Sequence, residues 1–366
     1  MLTHEQLLHA SLHNQFLLAK APTREVVSEL CGLQAQFANN PQYALRLRAH
    51  DFDPVQWGAG LVKTWTFRHT LHVVRADELG LFLSARGVQE KWNDDWGISR
   101  RVKPRWAAFL CDKIEEGVSG REALKQACRD AGMTPDLLEN VFHGWGGLLK
   151  ELCQRGRIAY DWGTAKRFVR CPPFASMDRE KARATLMERY FRRLGPATMA
   201  DCATFMGWRR KEFHATLAKH PLPLQSAPGP NGAEYHWLGN LPTTGDLPSC
   251  VFLTGFDQML MAYRDRSRLL DDEHRREVVT NTGIIHPTIL VNSRLRARWR
   301  MDNGRLAITP FAPLTLRQRK AIATTAKERF PEMEVAWADW PETTPGKASE
   351  GSPKKPIPEG KRNRSL

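Results

Sequence analysis

Residues 104–171 carry a pattern that few folds accommodate. Helical periodicity covers 104–116, 120–131 and 135–154, punctuated by Gly120 and by Thr134 with Pro135. "GRIAYDWGTAKRFVRCPP" then gives two short strand-like runs, 157–162 and 166–171, about a turn at Gly163. Three helices followed by a hairpin is the winged-helix arrangement, which sets a helix and a wing against DNA. The pattern recurs. Helical stretches at 178–194, 198–206 and 209–219 are broken at Gly195-Pro196 and Gly207, and "PLPLQSA" and "AEYHWLG" follow as strand-like segments around "PGPNG".

The first hundred residues hold a third, looser version. Residues 3–20 and 23–35 read as helices, with Thr3 and Thr23 as N-caps and Pro22 between them. "TWTFRHTLHVV", Thr64 to Val74, alternates and reads as one strand. Trp65, Phe67, His69, Leu71 and Val73 would share one face, and Thr66, Arg68, Thr70, His72 and Val74 the other. "RADELGLFLSARG" reads as helix, with Asp77 near its start and Gly87 at its stop. From about residue 249 the period changes. "SCVFLTGF", "GIIHPTILV", "RLRARWRM" and "RLAITPF" are strand-like, and Asn303-Gly304 is a strong hairpin signal. The expectation is an α+β chain, mainly α, of tandem winged-helix units with a C-terminal β-rich, barrel-like domain. The units fall at 1–104, 105–175, 176–245 and 246–340. A disordered basic tail, 341–366, is too rich in Pro, Gly and Ser to bury itself.

Charge points to the partner. Fifty-four Lys and Arg against 40 Asp and Glu leave a formal net charge of +14. A field of that sign favours polyanions, through release of counterions condensed on phosphates. Seven scattered cysteines form no CxxC pair, which argues against a disulfide framework or a zinc site and for a reduced cytoplasm. No metal or cofactor is expected. No apolar run approaches a membrane span, and the N-terminus reads as an amphipathic helix.

Within this basic chain, "GLQAQFANNPQYALRLR", residues 32–48, places four neutral amides in seven positions, from Gln34 to Asn40. No acid, cysteine or serine accompanies them. Gln34 and Gln36, two apart, do not share a helix face. They can act together only if the helix ends near Leu33 and the pair sits on a turn or extended segment; otherwise they cap a helix. Arg46 and Arg48 are solvated charge or phosphate contacts. His72, on the same strand face as Arg68, is a buried structural group or a DNA-facing one. Arg294, Arg296, Arg298 and Arg300 alternate along one strand, as a solvated edge or as a row that tracks phosphates or enters a narrow minor groove. Asp257, Asp265 and Arg266 are expected to form an internal ion-pair network.

Four motifs, in order, resemble one family: "GLQAQFANNPQYALRLR", "KTWTFRHTLHVV", "YFRRLGPATMADCATFMGW", and "GFDQMLMAYRDRSRLL" with "IIHPTILVNSRLRARWR". Together, from residue 30 to 300, they look like the AlkZ/YcaQ-like winged-helix DNA glycosylases. The resemblance implies three tandem winged helices and a small C-terminal β-barrel around a basic channel. It implies excision of alkylated purines, some of them interstrand crosslinks, from duplex DNA. Its Gln-x-Gln catalytic element falls on Gln34 and Gln36, and its minor-groove hairpin on the arginine strand. His69 stands where a glycine is common before Thr-Leu-His. The candidate DNA contacts are therefore Arg46, Arg48, Arg68, His69, His72, Arg294, Arg296 and Arg298. The chain is expected to be a monofunctional, monomeric glycosylase of the bacterial nucleoid. The rival reading is a non-catalytic winged-helix regulator, which would usually dimerise on paired half-sites.

Overall fold

Helix α1 (His4–Asn14) starts where the sequence says it should. The Thr3 side chain accepts from the Gln6 amide at 3.1 Å, and the Gln6 side chain accepts from the Thr3 amide at 2.9 Å. It ends well before residue 20, at a turn where Phe16 takes φ +62°. Helix α2 (Thr23–Glu29) is also shorter than expected, and the chain leaves it through Gly32 to run extended as β1 (Leu33–Gln34). The computed structural model describes residues 1–338 except 88–90, 145, 163–166, 231 and 243–244. The basic tail from Pro341 and the turn at Gly163 lie outside the described residues.

"NNP" at 39–41 ends the extended segment but also begins a helix that periodicity missed, α3 (Asn40–Arg48), with Pro41 in its first turn. The single strand expected over Thr64–Val74 is a hairpin, β2 (Leu61–Trp65) and β3 (Leu71–Arg75). Arg68 and His69 both take φ +54°, and the Thr70 amide donates to the Phe67 carbonyl at 3.4 Å. Positive φ at both central residues is what a type I′ hairpin turn demands, usually of Asn-Gly. The two expected strand faces therefore do not exist. Helix α4 (Leu79–Arg86) follows and stops at Gly87, φ +87°.

The second unit packs α5 (Lys103–Glu115), α6 (Arg121–Asp130), α7 (Pro135–Val141) and α8 (Gly147–Gln154) before β4 (Ile158–Tyr160) and β5 (Phe168–Arg170). The helix expected over 135–154 is thus two. Strand β4 pairs with β2 through Lys63 and Tyr160, so one sheet, ordered β1-β3-β2-β4-β5, spans the first two units. The third unit keeps its expected outline: α9 (Arg179–Arg193), α10 (Met199–Met206), α11 (Arg210–Lys219) and the hairpin β6 (Gln225–Pro228) and β7 (Glu234–Trp237). Its Phe191 and Phe205 share a continuous core with Phe67 and Phe82 of the first unit and Leu148 of the second.

The C-terminal region contains β8 (Cys250–Leu253), two short helices, α12 (Gln258–Met261) and α13 (Arg275–Val278), then β9 (Thr288–Val291), β10 (Arg294–Asp302), β11 (Arg305–Pro310), α14 (Leu316–Arg329) and β12 (Glu334–Trp337). The barrel-like closure is not formed among the described residues. The sheet is open, ordered β12-β11-β10-β9-β8, because β12 joins β11 in parallel and α14 packs Ile322, Ala326 and Phe330 into the core. Asn303, φ +46°, and Gly304, φ +79°, make the expected β10–β11 turn.

A buried ion pair ties the two ends together. Arg48, at the end of α3, donates to Asp257 at 2.7 Å, and neither side chain is exposed. Arg48 also donates to the Gln15 carbonyl at 3.0 Å, while Asp257 accepts from the Thr254 and Met259 amides at 3.0 and 2.9 Å. Asp257 is therefore both counter-ion and N-cap of α12. Of the expected network of Asp257 with Asp265 and Arg266, Asp257 is engaged by Arg48 instead, while Arg266 donates to the Leu260 carbonyl and Asp265 accepts from the Ser267 amide. Removing one partner of such a pair strands the other charge in the core. Arg48→Met should lower unfolding free energy by about 3–5 kcal/mol in urea titrations. A loss under about 1 kcal/mol would mean the pair contributes little to holding α3 on the C-terminal domain.

Candidate active site and nucleic-acid interface

The Gln-x-Gln pair is set by how closely β1 lies on β3. At Gly32, φ +81°, a Cβ would lie 3.0 Å from the Val73 carbonyl oxygen, so the approach admits no side chain. Leu33 then sits opposite Val73 and Gln34 opposite His72, and the Ala35 amide donates to the Leu71 carbonyl at 2.8 Å. Gln34 is thus a buried strand residue, and Gln36 lies in the bend that follows. Helix α2 has ended before either. The Gln36 side chain is half-buried, and its Oε1, shielded from solvent, has no hydrogen-bond partner among the described residues. A buried acceptor without a donor is uncommon and costs stability unless something supplies the donor. Beside it Phe37 is 48 % exposed and stacks on Phe256 at 5.8 Å. The sequence reading passed over Phe37, whose signal was an apolar residue among amides.

Arg68 turns inward from the hairpin tip. Its guanidinium lies 4.8 Å from the Phe67 ring and 4.5 Å from the Phe205 ring. It donates to the Phe205 carbonyl in the last turn of α10, to Gln34 Oε1 at 3.3 Å, and to His72 Nε2 at 3.0 Å. A cation at a helix C-terminus is favourably placed, and aromatic faces add cation–π attraction. Burial still pulls its pKa down to about 9, which leaves it largely protonated at neutral pH. Because Arg68 only donates, His72 Nε2 must accept. The ring proton is then on Nδ1, which faces Thr66 Oγ1 at 2.8 Å and the Thr70 carbonyl at 3.2 Å. His72 is neutral: burial, then the charge of Arg68, push its pKa well below 6.5.

Several candidate DNA contacts have partners within the fold. Arg48 is the wholly buried partner of Asp257 and cannot reach a phosphate. Arg46 donates to the Arg329 carbonyl at 2.9 Å, pairs with Glu332 and lies over Phe330, so it fastens α3 to the C-terminal domain. Arg68 and His72 are spent on one another and on Gln34. A bulge in β10, where Leu295 pairs with Leu290 but Ala297 with Ile289, leaves the alternation intact: Leu295, Ala297 and Trp299 all lie in the core. Arg298, on the other face, is buried as well, and burial lowers its pKa to about 10. Arg294 and Arg296 lie 3.6 and 3.1 Å from Asp271. The exposed cations of this hairpin are Arg300 and Arg305 near its turn.

His69 alone among the tip residues is exposed. Two cavities flank it, of about 370 and 460 Å³, and both are lined by His69 and Arg86. Burial lowers the His69 pKa, as do the charges of Arg86 and Lys150.

The buried neutral His72 has a consequence for stability. Above about pH 6.5 it is neutral in both folded and unfolded chains and contributes no pH dependence. Below that, the unfolded chain takes up a proton that the folded one refuses, so stability is lost as pH falls toward the lower folded pKa. The Tm should fall from pH 7 to pH 5 more steeply in the wild type than in His72→Gln. Parallel curves would show that His72 carries its proton inside the fold.

The family model "DNA glycosylase AlkZ-like" matches residues 27–329, most of the chain. A relative from Streptomyces sahachiroi, named interstrand DNA cross-link repair glycosylase, is 26 % identical over 330 residues, covering 82 % of this chain and 88 % of the relative. The solved structure of Streptomyces sahachiroi DNA glycosylase AlkZ aligns with a TM-score of 0.74 at 22 % identity, over 92 % of this chain and 100 % of that one, which shows a shared fold. The family match spans the Gln-x-Gln turn, the Arg68 hairpin and the β-rich region alike, and on it the chain belongs to the AlkZ-like DNA glycosylases, a family of enzymes.

Proposed function

We propose that the chain is a monofunctional glycosylase that hydrolyses the N-glycosidic bond of cationic alkylated purines of the N7-alkylguanine type in duplex DNA. Interstrand crosslinks are among its substrates, as the name of the Streptomyces sahachiroi relative suggests. It acts as a monomer in the nucleoid, with units 1–104, 105–175, 176–245 and 246–340 enclosing the duplex. The observation that carries the reading is the unpartnered Oε1 of Gln36, two residues from Gln34 and next to an exposed aromatic ring.

Alkylation at N7 makes the base cationic and already a good leaving group. The transition state then resembles an oxocarbenium ion, as in other glycoside hydrolyses. Protonating the base is unnecessary, so no strong acid is needed. What is needed is a positioned water and dipoles that lie beside a cation without repelling it. The Gln36 Oε1 accepts a hydrogen bond from that water. The Gln34 Oε1 is turned to Arg68, which orients the other end of its amide. Neutral His72 adds no charge to the site and serves as the acceptor that holds Arg68. An amide is a weak base, so undamaged neutral nucleotides should not react.

Single-turnover release of N7-methylguanine from duplex, read as alkali-labile abasic sites, tests this. Gln36→Ala and Gln34→Ala should each slow release on the order of tenfold to a thousandfold, the scale of one positioned polar group. DNA affinity should change little. Wild-type rates in both well-folded variants would remove the motif from the mechanism. Binding to undamaged duplex should fall steeply with salt, log K linear in log salt, because phosphates supply the affinity. A strong preference for one palindromic sequence at constant salt would count against it.

A further inference from the structure

Arg86 is the last residue of α4, and its Nε is buried without a hydrogen-bond partner. Among the described residues no carboxylate lies within ion-pair distance of its guanidinium, and Glu151 acts on it from further off. The helix C-terminus favours a cation there but does not replace a counter-ion. Burial lowers its pKa to about 10, so it is charged at neutral pH. The nearest acid in the same cavity, Glu151, is already occupied. It accepts from Lys103 at 2.8 Å and from Arg155 at 2.7 Å, while Asp95 accepts from Lys103 at 2.5 Å. On the other side, Glu212 accepts from Arg183 at 3.3 Å and lies 3.6 Å from Arg179. Both cavities that meet at His69 and Arg86 therefore have their acids committed and retain positive charge.

We propose that His69, Arg86 and Lys150 bind one backbone phosphodiester of DNA at the junction of these two cavities. Lys150, which also lies 4.2 Å over the Trp65 ring, Arg86 and His69 line the 370 Å³ cavity together, and Arg86 and His69 also line the 460 Å³ one. A phosphodiester carries one negative charge and free acceptor oxygens. It satisfies the Arg86 donors and lowers the mutual repulsion of three neighbouring cationic or protonatable groups. The tip is the same hairpin whose Arg68 contacts Gln34, so a strand held here runs beside the Gln-x-Gln turn. The left-handed backbone of His69 is accounted for as well. It presents an imidazole to the strand at a position where glycine would present nothing, and such strain persists where surrounding structure holds it for a purpose.

The inference rests on the DNA-processing reading above, and its test does not use base release. Binding of undamaged duplex is measured by fluorescence anisotropy over a range of salt. Arg86→Gln should reduce the slope of log K against log salt by about one, the share of one phosphate, and adding Lys150→Gln should weaken binding with little further change in slope. Arg86→Lys keeps the charge and should keep the slope. The wild-type slope in Arg86→Gln overturns the proposal. So does a lowered slope that Arg86→Lys fails to restore while its Tm drops, because Arg86 would then act through folding. If the wild type releases no N7-methylguanine yet the slope still falls by one, the phosphate site stands and the catalytic reading fails. A wild-type affinity indifferent to salt overturns both.

Discussion

Arg68 is a cation held without a carboxylate. Two phenylalanine rings, a helix-terminal carbonyl, an amide oxygen and a neutral imidazole take the place of one. Each of these partners belongs to a different piece of the fold: Phe205 to the third unit, Gln34 to β1, His72 to β3. Loss of any one leaves a charge in a poorly solvated setting, where an unmet charge is expensive. The guanidinium therefore couples the packing of the third unit to the orientation of a glutamine in the first. It also fixes the tautomer of His72, since a donor at Nε2 leaves the ring proton only Nδ1.

Other basic residues act in the same connecting role, and this changes what the net charge means. Arg48 joins α3 to α12, Arg46 joins α3 to the segment after α14, and Arg183 and Arg189 reach from α9 to the Ala85 carbonyl and to Glu78. A surplus of arginine is therefore only partly a surface field. Arg86, beside the β2–β3 tip, is one cation with no acid in such a pair, and it is there that the proposed phosphate site lies. Net charge favours an anionic partner but does not say where it binds.

Much of the helical framework was legible because caps and breakers are local. Thr3 with Gln6, Gly87, Thr198 with Asp201 and Asn303-Gly304 act within a few residues, and each ends or starts an element where the sequence indicates. The hairpin at Arg68-His69 was not legible, because alternation runs unbroken through it and its turn lacks Asn and Gly. Tertiary contacts to Phe205 and Gln34 hold that turn in place of local preference. The arginine row keeps its alternation, with Leu295, Ala297 and Trp299 in the core; what the strand pattern did not reveal is that Arg298 is buried on the opposite face and that Arg294 and Arg296 lie against Asp271. Arg46 and Arg48 could not be distinguished from surface charge, because their partners, Glu332 and Asp257, lie more than two hundred residues away. At the site itself, the two glutamines were legible as a pair that needs the helix to end near Leu33, on a turn or extended segment; β1 holds Gln34 and the bend after it Gln36. Phe37 was not.

The placement of charge near Gln34 bears on why amides would suit the proposed chemistry. Arg68 is positive, lies 3.3 Å from Gln34, and is not neutralised by an acid of its own. A cationic sugar forming nearby would be repelled in the free protein, and a carboxylate in place of glutamine would be drawn into a salt bridge with Arg68 instead of facing water. A neutral amide avoids that capture. Its Oε1 accepts from the guanidinium as a neutral hydrogen bond and brings no charge of its own to the site. The compensating negative charge must then come from the substrate, as phosphates carried past the hairpin tip. Duplex DNA would thus complete the electrostatics of the site as well as occupy it, so that a cationic transition state becomes tolerable only when the strand is in place. On the proposed reading, that coupling would give an intrinsically weak catalyst its selectivity: the reaction would require both a lesion that leaves unaided and a backbone that balances the fixed charge.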